Sequence, residues 1–173
     1  MLDEATRTRL NAISERSLRD KPPPRCEILE LGGGKVRYMI DKRTGVALRT
    51  EGVFDGIHPG RKRGPTITPR GGLAPGDERG HRQPVSAYDD PRLTEVPENF
   101  SSEAPSSNRG PKWDLDKRGR ELAEANPDHE VKLISDDLVL PGETRPFATT
   151  YYLKFDGELT DGSLTIFNKS KPK

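Results

Sequence analysis

Arg79 and His81 flank a glycine in the segment Asp77-Glu78-Arg79-Gly80-His81, with Asn99 and then Asn108-Arg109 downstream. These residue types can hydrolyse a phosphodiester. That reaction needs a base for water, a cation for the developing charge, and positive groups that hold the phosphate in line. An imidazole changes charge near neutrality, so His81 is the candidate base. Arg79 shares a face with His81 if this stretch is extended, and its guanidinium can then reach the phosphate. A magnesium ion asks for few protein ligands, hard oxygens and several retained waters. The amide oxygen of Asn108 answers that need, and Arg109 beside it can face substrate.

Each of these residues has a plainer use taken singly. Asn108 is a good helix cap, Asn99 can hold a turn through its own backbone bonds, and an isolated histidine in a polar segment is usually structural. The combination is what favours chemistry. His58 and His129 have no partners at metal-ligand spacing, and the single cysteine, Cys26, excludes both a disulfide framework and a zinc ribbon. Gly32-Gly33-Gly34 is not a phosphate loop, because Lys35 is followed by Val36 rather than Ser or Thr. Trp113 reads as a core residue rather than a base-stacking platform.

These residues need a scaffold to position them. The chain has 173 residues, of which 30% are hydrophobic and 33% charged, with 17 glycines and 16 prolines, so a loop-rich domain with a modest core is expected. The net charge of +1 decides nothing, since nucleic-acid binding depends on where charge sits. Between Pro59 and Arg82 there are six basic residues against two acidic ones. Arg61-Lys62-Arg63 within that stretch is a candidate for backbone-phosphate contact. No segment has the apolar length of a membrane span, and the N-terminus has no apolar run of a secretory signal.

Residues 2 to 19 carry a loose helical pattern that the Lys21-Pro22-Pro23-Pro24-Arg25 run ends, giving an N-terminal helix and Pro-rich linker over 1–25 and a domain over 26–173. Ile28 to Leu31 and Val36 to Ile40 read as two strands joined by the glycine turn. From Asp41 to Pro75 turn residues dominate, and a long irregular connection is predicted. A helix should begin near Asn108, with Pro111 in its first turn, Trp113, Leu115, Leu122, Ala123 and Ala125 on its buried face, and Pro127 beyond its end. Gly119 weakens it. Val131 to Leu133, Leu138 to Leu140, Phe147 to Phe155 and Leu164 to Phe167 are strand-like. The expected class is α+β.

The Asp77-to-His81 segment, Asn99, Asn108-Arg109-Gly110 and Trp113 together resemble the DNA/RNA non-specific endonuclease family, the Serratia nuclease-like enzymes, over roughly Pro65 to Gly157. The resemblance implies a ββα-metal, or His-Me finger, core with a small antiparallel sheet and long loops. It implies that His81 is the base, Asn108 the Mg²⁺ ligand (with Mn²⁺ as a substitute), Asn99 a supporting catalytic asparagine and Arg79 the scissile-phosphate ligand. One extra residue separates Asn108 from Trp113, so the family's acidic helix residue has no unique counterpart: Asp116 is the preferred candidate and Glu121 the alternative. Glu78 stands where the family has Asp, with Asp77 adjacent. DNA, with RNA as an alternative, is the implied substrate. The implied context is an exported bacterial toxin domain acting in a target cell's cytoplasm and blocked by an immunity protein. Two other readings share these features: a non-catalytic nucleic-acid-binding module on the same fold, and an interaction domain docked to a carrier through residues 1–25.

Overall fold

The computed structural model describes residues 3–5, 8, 22–56 and 66–169. The predicted N-terminal helix lies mostly outside the described residues, as do His58 and Arg61-Lys62-Arg63.

Strand β1 (Cys26–Leu31) turns through the three glycines into β2 (Val36–Asp41). Val36, Tyr38 and Ile40 alternate with half-buried residues, the period of two that a strand imposes. The next element corrects the sequence reading. Residues predicted as irregular form β3 (Ala47–Val53), which sits centrally between β2 and β6 (Val131–Leu138). Its polar composition disguises it, and cross-strand pairing explains it. Arg49, 2% exposed, bonds Glu51 at 2.9 Å and both oxygens of Asp136 at 2.8 and 2.9 Å, while Thr50 bonds Ser135 at 2.7 Å. Each buried polar group is thus matched across the ladder.

β6 pairs along its whole length with β7 (Ala148–Phe155). The other edge of β7 is shared by β8 (Glu158–Leu159) and β9 (Leu164–Phe167). The sheet therefore has seven strands, all antiparallel, and is larger than the small one expected. One face carries the main core, including Tyr38, Leu115, Leu133, Tyr151 and Leu153, and the other buries Ile134, Tyr152 and Leu159.

Between β3 and β6 the chain builds a second, two-stranded sheet from β4 (Glu78–His81) and β5 (Phe100–Glu103), then a one-turn helix α1 (Pro105–Asn108) and the long helix α2 (Pro111–Ala125). Asn108 ends α1 instead of starting the long helix, because the chain breaks at Arg109-Gly110, where Gly110 has φ 89°. α2 buries Lys112, Leu115, Asp116, Gly119 and Ala123 along one stripe. Gly119 is a packing device: a Cβ there would lie 2.6 Å from the Phe54 ring and 3.3 Å from Leu153. The absence of a side chain lets the helix approach the sheet. The class is α+β, as expected.

Candidate active site

β4 and β5 pair from Glu78↔Glu103 to His81↔Phe100, so β4 is extended and Arg79 and His81 point to the same side. Both line an open cleft of about 730 Å³ whose other walls come from Phe100, Asn108, Arg109, Trp113, Asp116 and Arg120. Gly80 between them faces inward, where a Cβ would collide with the Glu103 carboxylate. Only glycine lets that carboxylate lie against the strand.

Beneath β4 is a charged layer. The Arg82 side chain, 2% exposed, bonds Asp137 through Nε at 2.8 and 3.0 Å and through Nη2 at 2.8 Å, and it pairs with Glu103 and Ser101. Lys112 Nζ lies 3.5 Å from Glu103, close enough for ion pairing although it makes no hydrogen bond. Burial alone would raise the Glu103 pKa, but Lys112 and Arg82 outweigh it and hold the carboxyl below its ordinary range. Burial pushes the Lys112 ammonium down and the Asp137 carboxyl up.

Asn99 is fully buried. Its Oδ1 accepts from the amides of Arg82 and Gln83 at 3.2 and 2.7 Å, and its Nδ2 donates to the carbonyls of Gln83 and Thr94 at 2.9 and 3.0 Å. Both polar atoms are spent on backbone, and its work is to fix the chain leaving His81.

In the cleft, His81 Nε2 lies 2.8 Å from Asp116 Oδ2. Asp116 is 5% exposed, and its Oδ1 is buried with no hydrogen-bond partner among the described residues. Glu121, the alternative acid, is exposed on α2 and pairs with Lys117 at 3.8 Å, so the structure brings Asp116 to the histidine and leaves Glu121 outside. Arg79 lies over the Phe100 ring at 6.0 Å and donates to the Ile67 carbonyl at 3.3 Å. Glu78 binds Arg109, and this with the Asn108 amide holds its pKa below the ordinary value. Asn108 Nδ2 donates to Glu78 at 3.1 Å and to the Arg79 carbonyl at 3.4 Å.

That orientation bears on metal binding. With Nδ2 anchored to Glu78 and the Arg79 carbonyl, no described residue bonds Asn108 Oδ1. Asn108 lines the cleft, and a hard amide oxygen there is the kind of protein donor that magnesium takes alongside retained waters. Among the described residues there is no group of three or more His, Cys, Asp and Glu side chains placed to hold a metal ion.

One further sequence expectation changes. Trp113 is not in the core: it is 56% exposed and lines the cleft. His129 is half-exposed, with Nδ1 2.5 Å from Asp156 and the ring stacked on Phe155. Sequence reasoning missed Arg82, Glu103, Lys112 and Asp137. One signal was available for Lys112: with Asp116, Gly119 and Ala123 it falls on a single helical stripe. Charged residues at core spacing mark a buried polar network. The described residues contain no helix long and apolar enough to cross a membrane.

No protein-family model matches the sequence, and no curated protein matches it. Solved structures do match in shape. The crystal structure of NucA from Streptococcus agalactiae with no metal bound superposes with a TM-score of 0.59 at 14% identity, over 83% of this chain and 72% of that one. The magnesium-bound form of NucA gives 0.57 at 14% identity, over 87% and 76%. An extracellular endonuclease gives 0.58 at 12% identity, over 93% and 86%. At such identities the likeness speaks for architecture, and on that footing the chain shares the fold of these nuclease structures.

Proposed function

We propose that the protein is a magnesium-dependent endonuclease that hydrolyses DNA, with RNA as an alternative substrate, and that β4, β5 and α2 form its ββα-metal unit. The observation that carries this reading is the His81–Asp116 pair, 2.8 Å apart, in the cleft that Arg79, Asn108 and Arg109 also line. With the proton of His81 on Nε2 and donated to Asp116, Nδ1 keeps its lone pair, and no described residue bonds it. Nδ1 then takes the proton of the attacking water, and the Asp116 carboxylate stabilises the imidazolium that forms. Arg79 and Arg109 hold the phosphate oxygens in line for attack. Arg109 is three-quarters exposed, so its pairing with Glu78 is readily exchanged for phosphate. Asn108 Oδ1 would hold the metal, with water completing its coordination. Magnesium, when bound, supplies positive charge to the phosphoryl and leaving oxygens; manganese should substitute.

The shared fold with NucA, which has been solved with magnesium bound, supports the choice of metal. The family resemblance extends the proposal to an exported antibacterial effector that acts in a target cell and is neutralised by an acidic immunity protein covering the arginine-lined cleft.

Supercoiled plasmid tests the reading. The parent chain should nick it in magnesium and not in EDTA, while His81→Ala and Asn108→Ala should each lose about 10²- to 10⁴-fold in rate. Full cutting by His81→Ala would sink the assignment of the base. DNA binding without cutting by the parent would favour a non-catalytic module.

A further inference from the structure

Trp113 is the single tryptophan of the chain, and it stands exposed on the wall of the cleft that holds His81. Its position is imposed from a distance. Burial of Lys112, Leu115, Asp116 and Gly119 fixes the rotation of α2, and residue 113 is then turned away from the core. Lys117, one turn on, sets its ammonium 5.6 Å from the ring centre. The indole thus carries a cation on one face while the residue as a whole stays 56% exposed. The same cleft mixes flat apolar groups, Phe100 and Pro84 among them, with the guanidinium groups of Arg79, Arg109 and Arg120. A nucleotide presents that same pairing of a planar ring with an anion a few ångströms away.

We infer that Trp113 is a stacking platform for a nucleobase beside the scissile phosphate, so that the favoured substrate is single-stranded nucleic acid rather than continuous duplex. This rests on the nuclease reading. In a duplex both faces of every base are already covered, and stacking on Trp113 requires a base to leave its neighbours. A single strand offers bases whose faces are free, and every base has such a face, so the platform favours unstacked strands without selecting a sequence.

The sole tryptophan makes the test direct. The full chain carrying His81→Ala, in magnesium, is titrated with a short fluorescein-labelled single-stranded oligodeoxynucleotide and with an abasic strand of equal length and charge. Indole emission and label anisotropy are both read. The base-bearing strand should quench Trp113 to saturation, and the abasic strand should bind about tenfold more weakly and leave the emission unchanged. Adding Trp113→Ala should bring the base-bearing strand to the abasic affinity, and Trp113→Phe should recover most of the difference. Binding without quenching, or equal affinity for the two strands, overturns the inference whether or not the variants fold. If the parent chain cuts plasmid in that case, the nuclease reading stands without the platform. Absence of both binding and cutting overturns the two together.

Discussion

The cleft and the layer directly beneath it are both made of charged residues, yet they are built on opposite terms. Below β4, Arg82, Glu103, Asp137 and Lys112 each have side chains no more than 6% exposed and are neutralised by one another. Above it, Arg109 is 75% exposed, and its one ion pair, to Glu78, opens onto solvent. The lower charges are held because an unpaired ion in a low-dielectric interior costs several kcal/mol, so the group survives only as a set. The upper charges stay available because their pairings are weak enough to be replaced by substrate. Strand β4 is the boundary: Arg79 and His81 face the cleft, Gly80 between them lies against the Glu103 carboxylate, and Arg82, just past the strand, enters the buried layer.

Variants on either side of β4 should therefore separate stability from activity. The largest effect is expected from Arg82→Met, which strands Asp137 without its cation, leaves Glu103 with Lys112 alone, and should cost about 3–5 kcal/mol in urea unfolding. A loss under about 1 kcal/mol would mean that the layer is not an interdependent set. Gly80→Ala forces a methyl group into the Glu103 carboxylate and should cost about 1–3 kcal/mol, with activity falling alongside as β4 shifts.

Asp116→Asn sharpens the contrast from above. It keeps the shape but removes the charge that steadies His81, so the rate should drop about 10- to 100-fold. Its thermal midpoint should hold or rise, because the parent carboxylate buries an oxygen with no described partner. A fall in midpoint with full activity would reverse the roles assigned here.

The smallest effect concerns pH. Arg145 bonds Asp77 at 2.6 and 3.1 Å, and that contact is the main reason the Asp77 carboxyl is held below its ordinary pKa. A carboxyl whose folded pKa is depressed contributes stability that is fully present above its unfolded pKa and is lost as pH falls through the folded one. Arg145→Gln should lower stability by about 1–2 kcal/mol at neutral pH and progressively less in acid below the unfolded value. A penalty independent of pH would show that Arg145 acts through Asn168, its other partner, at 3.0 Å.

What was legible in the sequence follows from how far each signal reaches. β2, β7, β9 and α2 announce themselves through alternation or helical spacing of apolar residues, which are local properties of the chain. β3 does not, since Arg49, Thr50 and Glu51 become a central strand through partners on β6, more than eighty positions away. β5 escaped notice for a related reason: Phe100 to Glu103 is a strand by virtue of pairing with β4 and burying Glu103 against Arg82.

The sequence by itself determined that His81 and Arg79 share a side once β4 is extended, that a helix follows Pro111, and that Asn108 and Arg109 arrive just before it. Covalent spacing and backbone geometry suffice for those. Tertiary structure alone decided that Asp116 rather than Glu121 meets His81, that Asn99 turns inward to the backbone of Arg82 and Gln83, and that Trp113 faces the cleft instead of the core. All three depend on how α2 and β4 are rotated and set against the sheet. That is fixed by the close approach of Gly119 to Phe54 and Leu153 and by the buried ions under β4. Those contacts join residues distant in the chain, and no local pattern encodes them.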